Sequence, residues 1–313
     1  MAIAGVDVGG TKIGIGLVDD DHSVAHQVKE PTPTSVDELV GQVSRLVADL
    51  PSKVEALGLA LPAIIDHNQI VQMPNIAGFS GEVDISGELE DALGVPVVFA
   101  NDAQAGVLGE WVAGAAEGDL FVLGVWLGTG VGGGLVLDGR SYAGVGGGSG
   151  ELGHMVVRPD GARCGCGRRG CLEAYAGRRM MTASAQALVD AGQRTSLFDI
   201  QAAKGKAKAT SGVWADAVTD GDEIAIALLE EAVAALGLAV ASSLNLLDLD
   251  RVVIGGGMVD KFPDLAGRIA VAARPHSVRP VPEDLVVNAT LGDDSGIVGA
   301  AHVARDALAA PRP

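Results

Sequence analysis

A chain of 313 residues with 48% hydrophobic content exceeds the roughly 250–300 residues at which a single core stops growing, so two lobes are expected. A formal charge of −18 argues against nucleic acid or an anionic membrane as partner, since both need a basic face, and Met1 leads directly into a strand carrying Asp7, with no basic segment of a secretory leader. The uncharged helical run from Ala232 to Leu247 falls short of the ~20 residues of a membrane span and contains Ser242, Ser243 and Asn245, so a cytoplasmic protein with reduced thiols is expected.

Ile3 to Asp19 reads as strand, glycine turn, strand. Gly9, Gly10 and Thr11 let consecutive N–H groups point into one concavity suited to phosphate oxygens, and Lys12 adds a cation at its rim. Ser35 and Glu38 form a capping box ahead of a periodic helix that Pro51 closes. Val54 to Leu61 follows as a buried strand, and Asn68 to Met73 is expected to continue the sheet toward Pro74 and Asn75. A short helix from Ser86 ends at Gly94, and VPVVFAND then runs as a strand into Asn101 and Asp102, with a helix from about Ala103. Asp102 thus stands at the carboxyl end of a strand, where open α/β sheets build their sites; the competing reading is a simple helix cap.

The hairpin pattern then recurs. Gly5, Val6, Gly9, Gly14 and Asp19 fall in register on Gly124, Val125, Gly128, Gly133 and Asp138, which suggests a duplicated lobe with a second phosphate turn at Gly128, Thr129, Gly130 and Gly132. The formal G-x-G-x-x-G there is followed by an apolar strand, not a helix, so a dinucleotide fold is rejected; no P-loop motif is present.

Glu151 to Glu173 holds all three cysteines. Cys164, Cys166 and Cys171, at C-x-C-x4-C spacing and joined by His154, have the donor types of a closed Cys3His zinc site, which is preferred over incidental reduced thiols. Four protein donors leave no open position, so the zinc would be structural and would brace Glu151, His154 and Glu173. Leu172 to Ala191 reads as one helix, Gly192 to Gly221 as irregular, and Asp222 to Leu247 as a long apolar helix. DRVVIGGG is a strand ending in Gly255, Gly256 and Gly257, a third turn able to admit a nucleotide, and Ser295 opens the terminal helix.

Phosphate turns, an Asp beside an Asn, and a metal-braced set of two carboxylates and an imidazole are the parts needed to move a phosphoryl group onto a polyol. Mg2+ and backbone dipoles would neutralise the donor, Asp102 would take the proton of the attacking hydroxyl, and Asn101, Glu151, His154 and Glu173 would orient the ring.

DVGGTK from Asp7, NDAQA from Asn101, LGTGVGGG from Leu127, ELGH from Glu151 and CGCGRRGCLE from Cys164, with IGGG at Ile254 and SGIVGAA near the end, together resemble the bacterial ROK sugar kinases, most closely their glucokinases. The resemblance implies an α/β fold of the duplicated, actin-like ATPase (ribonuclease H-like) type, with two lobes and a cleft between them. Residues 1–115 would form the small lobe, with a helix at 295–310 packing back on it, and 116–294 the large lobe with the zinc loop. It further implies ATP with Mg2+ as donor, a hexose phosphorylated at its 6-hydroxyl with glucose as the default, Asp102 as base, Asn75 among the sugar contacts, and His154 shared between zinc and sugar. A homodimer or higher homo-oligomer is usual where the resemblance holds. Ala63 stands where the family commonly has glycine beside the sugar, so other hexoses (mannose, fructose, allose or an N-acetylhexosamine) are alternatives, as is polyphosphate as donor. A sugar-responsive regulator would need a basic helix-turn-helix ahead of the first hairpin, and a non-sugar ATPase would leave the cysteine loop without purpose.

Overall fold

The computed structural model describes residues 2–73 and 85–309, so Asn75 and the loop after it lie outside the described residues. The chain divides into two compact units. One comprises Met1–Leu120, Gly134–Gly150 and Thr290–Pro313, the other Phe121–Gly133 and Glu151–Ala289.

In the first unit, β1 (Ile3–Val8) and β2 (Lys12–Val18) form the hairpin expected from the glycine turn, and β3 (Val24–Pro31) pairs antiparallel with β2. Helix α1 (Val36–Ala48) leads to β4 (Ala56–Leu61), the small hairpin β5 (Ile64–Asp66) and β6 (Gln69–Gln72), helix α2 (Ile85–Leu93), β7 (Val97–Asn101) and helix α3 (Asp102–Ala113). The sheet order is β3-β2-β1-β4-β7, with β4 parallel to both β1 and β7. Alternation along the strands supplies two apolar faces. Val6, Val8, Leu57 and Leu59 pack with Leu39 and Val43 of α1 and Leu89 of α2, whereas Ile3 and Ala56 turn to the opposite face.

The second unit begins with β8 (Val122–Leu127) and β9 (Val131–Leu137), the latter crossing into the first unit at Gly134, followed by β10 (Arg140–Ser141). A 3-10 turn at Leu152–His154 and the cysteine loop precede α4 (Glu173–Ala176), α5 (Arg178–Asp190), α6 (Leu197–Ala203), α7 (Ser211–Thr219) and α8 (Glu223–Leu247). Then come β11 (Arg251–Gly255), α9 (Leu265–Ala273), β12 (Val286–Asn288) and finally α10 (Ser295–Ala309), which returns to the first unit. The sheet order is β10-β9-β8-β11-β12, with β11 parallel to β8 and β12. Numbered within each sheet, both orders read 3-2-1-4-5, so the repeat visible in the two glycine hairpins extends to whole sheets. Helix α8 is apolar and long enough to cross a membrane, yet Leu229, Leu236, Val240 and Leu244 are buried within this unit.

The second face of the first sheet is covered by α10. Ile297, Ala301 and Ala304 cluster with Ile3, Val18 and Ala56, and Ala300 with Ala60, Ala100 and Ala105. The approach is close enough that a Cβ at Gly58 would fall on the carbonyl of Ala300, and one at Gly299 on that of Ala105. Glu110, fully buried on α3, fixes the segment entering this helix: its carboxylate accepts from Thr290 N at 2.9 Å and Leu291 N at 2.8 Å, as well as from Ala115 N at 2.9 Å.

Three expectations require correction. Asn68–Met73 does not extend the main sheet. Among the described residues β6 pairs with β5 alone, while the Asn68 side chain donates to Val97 O at 2.9 Å and accepts from Phe99 N at 2.7 Å, filling the edge of β7 as a strand would. The helix expected from Leu172 to Ala191 breaks at Gly177, whose backbone is extended. Residues 192–221 contain α6 and α7, the latter capped by Thr210 accepting from Val213 N at 3.3 Å.

Candidate active site and metal-ligand cluster

In the first unit the expected residues gather at the carboxyl ends of β1 and β7, on either side of β4. The β1–β2 turn is closed by Gly9 N donating to Lys12 O at 2.9 Å, and Thr32 Oγ1 donates to Gly9 O at 2.6 Å. Gly10 and Thr11 at the turn are exposed. Lys12 Nζ lies 2.6 Å from Asp293 Oδ2, which Lys29 Nζ also reaches at 3.0 Å. Asp293 was not singled out by sequence reasoning; it enters from the segment before α10, far away along the chain. Asp7 is half-buried, its carboxyl 2.6 Å from where a Cβ on Gly296 would sit. Burial, and then the negative charge of Asp102, push its pKa up to about 7 against a partial counter-pull from Lys12.

Asn101 ends β7 and caps α3: its Oδ1 accepts from Gln104 N at 3.0 Å, and its Nδ2 donates to Ala63 O at 3.0 Å. The cap is therefore Asn101. Asp102 is the first helical residue, its Oδ1 accepting from Ala103 N at 2.9 Å, and its charge reaches Asp7. The methyl of Ala63 is buried in the apolar cluster beneath the sheet, so its backbone carbonyl, not its side chain, is what it offers to Asn101.

In the second unit, Gly128 N donates to Gly130 O at 3.0 Å to close the β8–β9 turn, while Gly132 lies within β9. Glu173 opens α4 with its side chain only 13% exposed; Oε2 accepts from Val131 N at 3.1 Å and occupies the space that a side chain on Gly130 would need. Helix α5 grips the same turn, because Arg178 N donates to Gly128 O at 3.2 Å and Arg179 N to Thr129 O at 3.0 Å. The Arg178 guanidinium donates to Thr129 Oγ1 at 3.2 Å and to Ser211 Oγ at 2.9 Å. Ser211 in turn lies 3.5 Å from a Cβ position on Gly257, in the turn after β11 where Gly255 ends the strand and Gly256 has φ +89°. Neither Arg178 nor Ser211 was expected at the site; the pair is joined only by tertiary structure.

His154 lies between the carboxylate and the thiols. Its Nε2 is 3.8 Å from Glu151 Oε2, and its Nδ1 is 4.0 Å from Cys164 Sγ. Cys166 Sγ and Cys171 Sγ are 3.7 Å apart, and one donor atom from each of His154, Cys164, Cys166 and Cys171 falls within 4.8 Å of all the others. Tetrahedral zinc at its usual bond lengths needs S···S edges of about 3.8 Å and S···N edges of about 3.6 Å, so this donor set fits that ion. Without a cation, burial pushes the Cys164 thiol up to about 12 and raises that of Cys171, while hydrogen bonding from Arg168 draws Cys166 down to about 6.

The comparisons with known proteins agree with this layout. A model of the ROK family matches residues 3–307. The glucokinase of Thermotoga maritima is 33% identical over 319 aligned residues, covering 98% of each chain, and the N-acetylmannosamine kinase of Citrobacter koseri is 31% identical, covering 97% of this chain and 99% of that protein. The crystal structure of a ROK family glucokinase from Streptomyces griseus in complex with glucose and AMPPNP superposes with a TM-score of 0.84 at 30% identity, covering 98% of this chain and 100% of that one. With paired 3-2-1-4-5 sheets, two glycine hairpins and a Cys3His loop accounted for along nearly its whole length, the chain belongs to the ROK family.

Proposed function

We propose that the protein is an ATP-dependent hexose kinase that transfers the γ-phosphoryl group to the 6-hydroxyl of glucose. The observation that carries this reading is the placement of Asp102 at the head of α3, with the helix cap supplied by Asn101 and a second carboxylate, Asp7, close enough to feel its charge. A carboxylate so placed accepts the proton of the attacking hydroxyl as the new O–P bond forms and the bond from the γ-phosphorus to the bridging oxygen breaks, releasing ADP. The similarity to glucokinases along almost the entire chain supports the same assignment.

The residue roles follow the chemistry of each group. Asn101, Glu151, His154 and Glu173, with Asn75, hydrogen-bond the sugar hydroxyls and fix which one faces the phosphorus. The backbone of Gly9, Gly10 and Thr11, with Lys12, and that of Gly128, Thr129 and Gly130 hold the phosphate chain, and Gly255 to Gly257 admit the nucleoside. Mg2+, when bound, neutralises phosphate charge, and Asp7 is the half-buried carboxylate of this group. Zinc held by His154, Cys164, Cys166 and Cys171 stiffens the loop that presents Glu151 and His154. A cytoplasmic, homo-oligomeric enzyme is in keeping with reduced thiols and with the family.

A second acceptor class has a specific observation in its favour, since the N-acetylmannosamine kinase relative is 31% identical, close to the 33% of the glucokinase. A coupled assay crossing glucose, mannose, fructose, allose and N-acetylmannosamine with ATP and polyphosphate decides both acceptor and donor. Highest kcat/KM for glucose with ATP is the expected result; turnover with none of the sugars overturns the hexose-kinase reading.

A further inference from the structure

Arg178 is a cation without a counter-charge. Its neighbour Arg179 lies 3.8 Å from Glu173 Oε1, and Arg158 pairs with Glu231, but among the described residues no carboxylate forms an ion pair with Arg178. Among the described residues its guanidinium hydrogen-bonds two hydroxyls, Thr129 Oγ1 at 3.2 Å and Ser211 Oγ at 2.9 Å. The side chain is half-buried, and burial alone draws its pKa down. Removing a cation from water without a partner is costly, so a position of this kind persists where an anion comes to it. Two glycine turns of the second unit adjoin it: its own backbone N–H is tied to Gly128 O at 3.2 Å, and Ser211 stands beside Gly257.

We infer that Arg178 is a donor-phosphate contact, its guanidinium held by the hydroxyls of Thr129 and Ser211 so that its remaining N–H donors meet phosphate oxygens of the bound nucleotide. A planar fork with fixed donors suits this task, since two of its N–H groups can be used for orientation while others remain for the ligand. The assignment rests on the kinase reading for the identity of the ligand, but on the geometry for its chemistry, a phosphate chain.

The test uses the full chain and reads binding directly. Wild type, Arg178→Ala and Arg178→Lys are titrated calorimetrically with ATP, ADP, inorganic tripolyphosphate and adenosine, with thermal unfolding to verify that each variant is folded. Arg178→Ala weakens ATP and tripolyphosphate by about tenfold to a hundredfold and adenosine by less than about twofold, as expected for loss of charge-assisted hydrogen bonds. Arg178→Lys, which keeps the charge but not the fork, loses less, and it carries the test if the alanine variant does not fold. Equal losses for adenosine and ATP mean that Arg178 merely braces the turn and overturn the assignment, as does no loss at all. A wild-type chain that binds neither ATP nor tripolyphosphate overturns this assignment and the proposed function together. Binding with the stated Arg178 dependence but no hexose turnover upholds the assignment and overturns the hexose-kinase reading alone.

Discussion

Asp7 and Asp102 sit at the ends of different strands of one sheet, and their separation in roles follows from environment. Both are half-buried, but Asp102 begins a helix and accepts from Ala103 N, whereas desolvation of the Asp7 carboxyl and the charge of Asp102 push the Asp7 pKa up to about 7. Asp102→Ala is expected to lower kcat by about 10²–10⁴-fold while leaving sugar affinity within about tenfold, because only the proton acceptor is lost; steady-state kinetics beside sugar titration measure the two separately. Asp7 has a linkage consequence. Its folded-state pKa of about 7 exceeds the ordinary 3.8, so its contribution to stability is fully present below about pH 4 and is lost as pH rises through 7. In metal- and nucleotide-free buffer the protein is therefore less stable at pH 8 than at pH 5, by on the order of 2–3 kcal/mol from this group, and Asp7→Asn flattens that slope in pH-dependent denaturant unfolding. At this scale the sequence was informative wherever a residue lay inside a contiguous motif, as Asp7, Asn101 and Asp102 do. It was silent on Asp293 and Arg178, whose partners lie far along the chain and are brought to them by packing.

Among the elements, the cysteine loop and the glycine hairpins were legible because their chemistry is local. Donor spacing announced a metal cluster, and an apolar run with a Gly-Gly turn announced two strands. Removing one donor tests the loop's function: Cys166→Ser is expected to lower the zinc content per chain and raise the sugar Kd by at least about tenfold together, checked by metal analysis and titration. A fall in metal with unchanged sugar affinity would separate the loop from the pocket. What the pattern concealed has physical reasons. The break at Gly177 arises because α5 gives its first N–H groups to the carbonyls of Gly128 and Thr129, a tertiary demand that helix periodicity does not register. Helices α6 and α7 follow polar segments with Gly192 and Gly205 that read as loop, yet α7 is anchored by the fully buried Trp214. The Asn68 side chain takes the place of a strand at the edge of β7, which no propensity foretells. The capping box at Ser35 formed only in part: Ser35 accepts from Glu38 N at 3.4 Å, but the Glu38 carboxylate turns to Thr34 N at 3.0 Å.

For the molecule as a whole, the two units are not two consecutive stretches of chain. The first is completed only by Thr290–Pro313, because α10 covers the sheet face formed by Ile3, Val18, Ala56 and Ala60. A fragment ending at Leu120 leaves that face bare and is expected not to fold cooperatively, with far-UV circular dichroism showing no sharp thermal transition. Its exposed Gly58 backbone has no substitute partner, since the helix that meets it is supplied from the other end of the sequence. On the ribosome this sets a timetable. Synthesis proceeds from the amino terminus, so the segment translated first must remain unfinished until α10 has been made, while Phe121–Ala289 emerges in the interval. Newly made chains thus carry an uncovered apolar sheet until α10 emerges, and that helix acts as the latch that closes it.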